Sequence, residues 1–309
     1  MTTRVDSMLE HVRCNLCGAD DVDELQASQR SETDRLDVAA VRSSGDEPLR
    51  DRLVRCRRCA LVYVSPRVKS DLIFAGYSDA VDETFVSQAQ GRELTFRRCL
   101  DIIGEAWKRP PGRLLDVGTA NGSFLKVARD AGWTVSGCEP SRWMCEWCRT
   151  HYGIDVTNGS IFSGGYESSS FDVVTLWDVL EHTPDPMAAL KEAVRVLRPG
   201  GLLVVNYPDY GSAVARLMGR RWVFLLTVHY YYFTRRTIAS ALERVACSVV
   251  RIRPHIQRLE MDYVLHRATP YVGAPARVLR RIARATGVGR AQMPYWMGQT
   301  LVVARKNPS

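Results

Sequence analysis

Long apolar runs are missing from this chain of 309 residues. The longest, residues 222–228, falls far short of the ~20 residues that cross a bilayer. The opening stretch Met1-Thr2-Thr3-Arg4-Val5-Asp6-Ser7 has no apolar core of secretory-leader length. The expectation is a cytoplasmic protein with no transmembrane segment. A disulfide framework is missing too, because nine cysteines are an odd number and suit reduced thiols or metal ligands better. Internal repeats and low-complexity tracts are absent, which excludes solenoids and disordered chains. Acidic charge is scarce in one region only. From Asn206 onward there are 17 Lys/Arg against 4 Asp/Glu, whereas the rest of the chain carries 25 against 30. Such a basic third fits an anionic partner (a phosphorylated substrate, an acidic carrier, RNA or a lipid surface) as readily as a solvated arginine-rich face.

What is present is ordinary globular material, 46% hydrophobic and 25% charged, enough for one large and one small domain. Residues 1–70 read as a small first unit and 71–309 as the main domain. Residues 71–110 carry apolar side chains at helical spacing, and Pro110-Pro111-Gly112 ends that pattern. Strands are expected at 113–117, 133–138, 154–157, 171–177 and 202–207, with helices at 121–131, 141–152 and 186–197. Gly132 and Gly153 stand where helices stop, and Pro199-Gly200-Gly201 leads into the fifth strand. This alternation implies right-handed crossovers and an α/β, doubly wound, Rossmann-like sheet. A helix at 234–246 and strands at 248–253 and 299–305 complete seven mostly parallel strands. Residues 254–297 would form a helical C-terminal insertion, and 208–234 a lid.

Within this frame Leu114-Leu115-Asp116 runs into Val117-Gly118-Thr119-Ala120-Asn121-Gly122, and Gly137-Cys138-Glu139-Pro140-Ser141 ends the next strand. Ligands of such sheets sit at the carboxyl ends of the strands. Glycines there let the backbone approach a nucleoside, and a carboxylate at the second strand end accepts ribose hydroxyls. The dinucleotide pattern Gly-x-Gly-x-x-Gly is broken by Ala120, which disfavours NAD. These motifs resemble those of the class I S-adenosylmethionine-dependent methyltransferases. Residues 171–182, Phe-Asp-Val-Val-Thr-Leu-Trp-Asp-Val-Leu-Glu-His, resemble that family's fourth strand and loop, and Leu197 to Gly201 its following turn. The resemblance implies S-adenosyl-L-methionine as cofactor, held by Asp116, Gly118, Ala120, Asn121, Gly122, Glu139, Pro140, Ser160, Trp177 and Asp178.

Cys14-Asn15-Leu16-Cys17 and Cys56-Arg57-Arg58-Cys59 are two Cys-x-x-Cys turns. Two such turns close a four-sulfur shell with no open position, the signature of structural zinc. A thioredoxin-like role lacks its βαβ context. Cys145 and Cys148 have the same spacing inside a helix, where packing is the expected role. With Leu61-Val62-Tyr63-Val64-Ser65-Pro66 following, the first unit is similar to the zinc ribbon of bacterial biosynthetic methyltransferases. Deoxysugar C-methylating relatives continue into a further domain that this chain lacks, so O- or N-methylation is expected.

Methyl transfer needs an aligned nucleophile and a group to take its proton. His182, His229 and Tyr232 are the candidates. Asp178-x-x-Glu181-His182 also resembles the Glu-x-x-Glu-His metal ligands of ubiquinone-pathway and small-RNA methyltransferases. Magnesium there is a lesser expectation than zinc at the cysteines. Residues 214–233 hold Arg216, Arg220, Arg221 and Trp222 beside His229 and three tyrosines. They suit a lid whose arginines grip an acidic acceptor, or a membrane-surface helix making peripheral membrane contact. The leading reading is a small-molecule methyltransferase. An RNA methyltransferase is the alternative, although no RNA-binding module is evident and nucleic acid is not favoured. A zinc-dependent scaffold without catalysis is the third.

Overall fold

A computed structural model describes residues 8–30, 45 and 47–308. The parts of the expected 1–70 unit at 1–7, 31–44 and 46 lie outside the described residues, as does Ser309.

The first unit contains β1 (Leu9–Glu10), β2 (Val22–Gln26), β3 (Leu53–Cys56), β4 (Val62–Val64) and β5 (Arg67–Val68). Three helices follow, α1 (Ser70–Ser78), α2 (Glu83–Ser87) and α3 (Ala89–Trp107). The alternating region then runs β6 (Arg113–Val117), α4 (Ser123–Asp130), β7 (Thr134–Glu139), α5 (Arg142–Tyr152), β8 (Thr157–Asn158), β9 (Phe171–Trp177), α6 (Pro186–Val196) and β10 (Leu197–Pro208). After α7 (Ala213–Met218) and β11 (Tyr231–Tyr232) come α8 (Arg235–Arg244), β12 (Cys247–Pro254), β13 (Gln257–Glu260), α9 (Met261–Val272), α10 (Ala274–Ala285), β14 (Gln292–Tyr295) and β15 (Gln299–Lys306).

Local chemistry explains the element ends. Ser141 accepts the Met144 N–H at 3.3 Å and starts α5, while Gly153 in the left-handed region (φ 63°) stops it. Asp185 accepts the Ala188 N–H at 2.8 Å ahead of Pro186, which opens α6. Every residue of β9 is buried, as a strand covered on both faces requires.

Seven strands form the main sheet in the order β12-β15-β10-β9-β6-β7-β8, with β15 antiparallel to its neighbours and the other pairs parallel. The order reverses between β6 and β9, and this switch point opens the crevice where ligands bind. Three boundaries differ from expectation. The third strand shrinks to Thr157–Asn158, because only these residues pair with β7 at the sheet edge. Pro199-Gly200-Gly201 lies inside β10 as a register shift between Leu197 and Leu202, so the strand starts earlier. The 254–297 segment is not purely helical, because α9 and α10 are carried on an antiparallel ribbon of β13 and β14.

A second sheet has the order β11-β4-β3-β2. Its edge strand comes from residues 231–232, far along the chain, with Tyr231 opposite Tyr63 and Tyr232 opposite Val62. The lid segment is thus annealed to the cysteine-bearing unit. Buried Arg67 reinforces the joint: it donates to Glu10 (2.8 Å), the Pro184 carbonyl (3.0 Å) and the Tyr231 hydroxyl (3.1 Å), and lies 4.6 Å from the Tyr230 ring centre. Among the described residues no helix is long and apolar enough to cross a membrane.

Arg67→Met leaves the Pro184 carbonyl and Glu10 without their shared donor. We expect a loss of about 2–4 kcal/mol, read as a lower denaturant midpoint at unchanged slope.

Candidate functional site

The carboxyl ends of β6, β7, β9 and β10 open into a cavity of about 510 Å³. Asp116, Gly118, Ala120, Asn121, Glu139, Pro140, Ser160, Trp177, Asp178, His182 and His229 all line it. Gly118 has φ 66°, and Ala120 follows it in the left-handed region at φ 48°. A non-glycine residue there signals a turn held for a purpose. Glu139 is 1% exposed and locked from both sides: Oε2 accepts the Ala120 N–H at 2.9 Å and Oε1 the Ser141 N–H at 2.8 Å. Burial raises its carboxyl to about 7, against the pull of those two bonds. Asp116 is also raised to about 7 by burial, and Thr175 donates to its Oδ1 at 2.5 Å. Its Oδ2 has no partner, and neither do Thr119 Oγ1, Asn121 Nδ2 or Trp177 Nε1. Orphaned buried polar atoms around one cavity are what a site for a polar ligand leaves when described without it.

The loop after β9 brings a second group together. Asp178 takes φ 51°, its N–H donates to Asn206 Oδ1 (2.8 Å), and its carboxylate accepts from Asn206 Nδ2 (2.6 Å). His182 Nδ1 lies 3.0 Å from the Val228 carbonyl and His229 Nδ1 2.9 Å from the Phe224 carbonyl. A carbonyl only accepts, so both Nδ1 atoms carry the proton and both Nε2 atoms present lone pairs. Burial lowers His182 to about 4, and burial together with nearby His182 lowers His229 well below the usual imidazole range. Glu181 is 1% exposed, with neither carboxylate oxygen partnered. One ligand atom from each of Glu181, His182 and His229 lies within 4.8 Å of the other two.

Two expected residues lie elsewhere. Tyr232 is 1% exposed and packs with Leu49, Leu53 and Trp222, its hydroxyl donating to the Leu226 carbonyl at 3.1 Å. It is packed between the second sheet and the lid segment, away from the cavity that Tyr230 lines. Gly122 sits behind the glycine turn, where a Cβ would overlap Cys148 Sγ. It serves close helix packing. The lid arginines Arg216, Arg220 and Arg221 are likewise absent from the lining. Trp222 is buried against the first unit, donating to the Met297 carbonyl at 2.8 Å. The cavity's cations are Arg92 on α3, Arg258 and Arg267, beside Tyr263 and Tyr295. Nothing in the local sequence around them marks a site. Arg92 lies 3.6 Å from the Phe85 ring centre, and its buried Nε has no partner.

At the other pole the four cysteines converge. Cys14 and Cys59 sulfurs are 3.3 Å apart, Cys17 and Cys56 3.5 Å, and all four lie within 4.8 Å. The two turns share one backbone form, with Gly18 (φ 74°) and Ala60 (φ 63°) each donating back to the first cysteine's carbonyl. The Cys59 thiol is pulled down to about 5, chiefly by its hydrogen bond with Cys14, while Cys14 is pushed up. From the first turn, Asn15 reaches the α6 start, donating to Asp185 and accepting the Met187 N–H, both at 2.9 Å.

A family model described as Methyltransferase domain matches residues 91–252, just over half of the chain. A ubiquinone biosynthesis O-methyltransferase of Xanthomonas campestris is 28% identical over 159 residues, covering 48% of this chain and 66% of that protein. A 27-O-demethylrifamycin SV methyltransferase of Amycolatopsis mediterranei is 33% identical over 139 residues, 42% of this chain and 49% of that one. An uncharacterised 37.1 kDa protein in a Streptomyces fradiae transposon is 38% identical over 112 residues, 34% of this chain and 32% of its own length. The chain thus spans between 32% and 66% of these relatives. A solved SAM-dependent methyltransferase of Thermotoga maritima is 19% identical, covering 71% of this chain and 91% of its own, at a TM-score of 0.47.

Gly122→Ala adds a methyl against Cys148 at φ 74°, and we expect a loss of about 2–4 kcal/mol from overpacking plus left-handed strain. Combined with Cys148→Ala, the steric part is relieved, so thermal unfolding should show a cost well below the sum of the single variants.

Proposed function

The chain belongs to the methyltransferase-domain family, and on that premise we propose that it transfers a methyl group from S-adenosylmethionine to a small-molecule biosynthetic acceptor. Glu139 carries this reading, a buried carboxylate fixed by two backbone N–H groups at the second strand end. Its remaining lone pairs suit the two ribose hydroxyls, and the Gly118–Asn121 turn suits the amino-acid end. Pro140, Ser160 and Trp177 frame the adenine side, and Asp178 is set by Asn206. The cofactor supplies a methyl already activated on a sulfonium, so the protein's task is in-line alignment at ~3–3.5 Å. With no cation bound, the bare Nε2 atoms of His182 and His229 are among the cavity groups able to receive an acceptor proton. O- or N-methylation is favoured. The unpartnered Arg92 Nε fits an anionic group in the bound ligands. The RNA alternative gains little, since the knuckle arginine Arg57 is tied to Asp21 and Asp23 at 3.1 and 2.7 Å.

Two metal readings accompany it. The four-cysteine shell suits structural zinc, whose tetrahedral sulfur–sulfur edge is ~3.8 Å. Separately, Glu181, His182 and His229 present acceptors to one another with no donor among them. That arrangement suits a divalent cation, with the backbone-bound Nδ1 atoms orienting the rings. Asp178 does not belong to this set, because Asn206 holds its carboxylate. A divalent ion there would act as a Lewis acid toward an acceptor oxygen.

Calorimetry with S-adenosylhomocysteine tests the main reading. An ionised carboxylate accepts ribose hydroxyls better than a neutral one, and Glu139 stands near 7. Affinity should therefore rise as pH climbs through about 7, and Glu139→Gln should bind roughly 10- to 100-fold more weakly, with a shallower profile in which Asp116 still titrates. Without ligand the sign reverses: the fold holds this proton more tightly than the unfolded chain, so stability falls between the ordinary glutamate value of 4.5 and about 7. Unchanged affinity in Glu139→Gln contradicts the assignment.

Elemental analysis should find one zinc per chain, lost in Cys56→Ser. Titration with manganese should then show one further site that disappears in Glu181→Gln and in His229→Gln. No second site would end the divalent-cation reading.

A further inference from the structure

The hairpin of α9 and α10 has two faces with different tasks. Its inner face supplies Tyr263 and Arg267 to the cavity. Its outer face carries exposed apolar side chains. On α10, Ala276 and Ala283 are buried against α9, seven residues apart on one side. Opposite them Val278, Leu279 and Ile282 are 53%, 54% and 53% exposed. At the hairpin tip Val272 and Tyr271 are exposed too, at 56% and 37%. Isolated exposed aliphatics need no explanation, but a contiguous stripe along one helix and its tip does.

Charge selects what covers it. Arg277 and Arg281 stand exposed along one flank of the stripe. Asp262, the only acid of the hairpin, is already held by Arg280 at 3.0 Å and Arg284 at 2.6 Å. It is also the last acidic residue of the chain, so the final 47 residues are free of carboxylate side chains. A two-fold contact between copies of this face would set arginine against arginine. A protein partner is usually gripped by aromatic anchors in pockets, whereas this stripe is convex and mainly aliphatic. An aliphatic stripe flanked by arginine on one short helix is the pattern that lies in the plane of an anionic bilayer, with the stripe in the acyl boundary and guanidinium groups at the phosphates.

We propose that the outer face of α10 and the tip residues Tyr271 and Val272 dock this protein on an anionic membrane surface. The lid, offered above as a membrane-surface alternative, suits that role less well, because its Trp222 and Tyr230, Tyr231 and Tyr232 are buried. The docked hairpin then stands between the lipid and the cavity wall that it forms. This surface is separate from the methyl-transfer reading, which calorimetry with S-adenosylhomocysteine tests independently.

Flotation of the full chain with vesicles decides it. Phosphatidylcholine mixed with phosphatidylglycerol should carry the protein up, phosphatidylcholine alone should not, and salt should weaken the binding. Leu279→Gln/Ile282→Gln and Arg277→Gln/Arg281→Gln, all on exposed positions, should each lower vesicle affinity by roughly tenfold or more while S-adenosylhomocysteine affinity stays unchanged. Three outcomes overturn the proposal: no flotation with phosphatidylglycerol, equal flotation of both double variants and the parent, or a dimer in light scattering that Leu279→Gln/Ile282→Gln dissolves without altering flotation.

Discussion

The pairing of β11 with β4 is the constraint on which one wall of the cavity depends. Two residues of strand have little stability alone. Tyr231 and Tyr232 stay in place because β4 offers a ladder, and because both hydroxyls reach carbonyls, at Pro184 and Leu226. Immediately before them, the Tyr230 N–H donates to the Glu181 carbonyl at 2.7 Å, and the Val64 N–H to the Tyr230 carbonyl at 2.9 Å. Ribbon, lid and fourth-strand loop are thus one hydrogen-bonded stack. Asn15 and Arg67 tie the same ribbon to Pro184, Asp185 and Met187, on the far side of that loop. The cysteine-bearing unit therefore acts within the molecule as a frame, which explains why so small a sheet gives one edge to a strand some 170 residues later in the chain.

The electrostatics of the cavity follow from that framing. Carboxylates at Asp116, Glu139, Asp178 and Glu181 are all raised by burial. Placing several acids in one desolvated space is unfavourable unless ligands or local donors compensate. At Glu139 and Asp178 the protein supplies donors itself, from the backbone and from Asn206. At Glu181 it supplies none. The difference separates residues already held in one position from one that still awaits a partner.

How much of this was legible in the sequence follows from distance along the chain. The half of the cavity proposed for the adenosyl group lies between Asp116 and Ser160, built by consecutive strand–helix units whose apolar periods, caps and glycines are local signals. Strands at 113–117 and 171–177 came out at those bounds, because buried parallel strands are unbroken apolar runs between turn residues. The other half of the cavity joins α3, the fourth-strand loop, residues 224–230 and the insertion. No local pattern says that Arg92 and Arg267 face one space, or that Tyr232 packs against the first unit instead of facing it. Lid arginines were expected in the cavity because composition records that they are cationic and not which way a helix turns them. The β4–β11 pairing was illegible for the same reason, since a two-residue strand carries no periodicity.

That division also bears on how one fold can serve different acceptors. The residues proposed to hold the adenosyl moiety stand at strand ends of the main sheet, where a moved residue would disturb packing on both faces. The acceptor wall is assembled from segments outside that sheet: a lid held by the ribbon and a hairpin carried on its own two-stranded stalk between β12 and β15. A change in the hairpin can reshape the wall through Tyr263, Arg267 and Tyr295 while leaving Glu139 and its two backbone donors untouched. The physical cost of this separation is that the wall does not share the main sheet's core. Its lid side rests on a small apolar cluster shared with the first unit, where Leu49, Leu53, Ala215, Trp222, Leu225 and Tyr232 pack together, and its hairpin side rests on the β13–β14 pairs, so its geometry is only as firm as those joints.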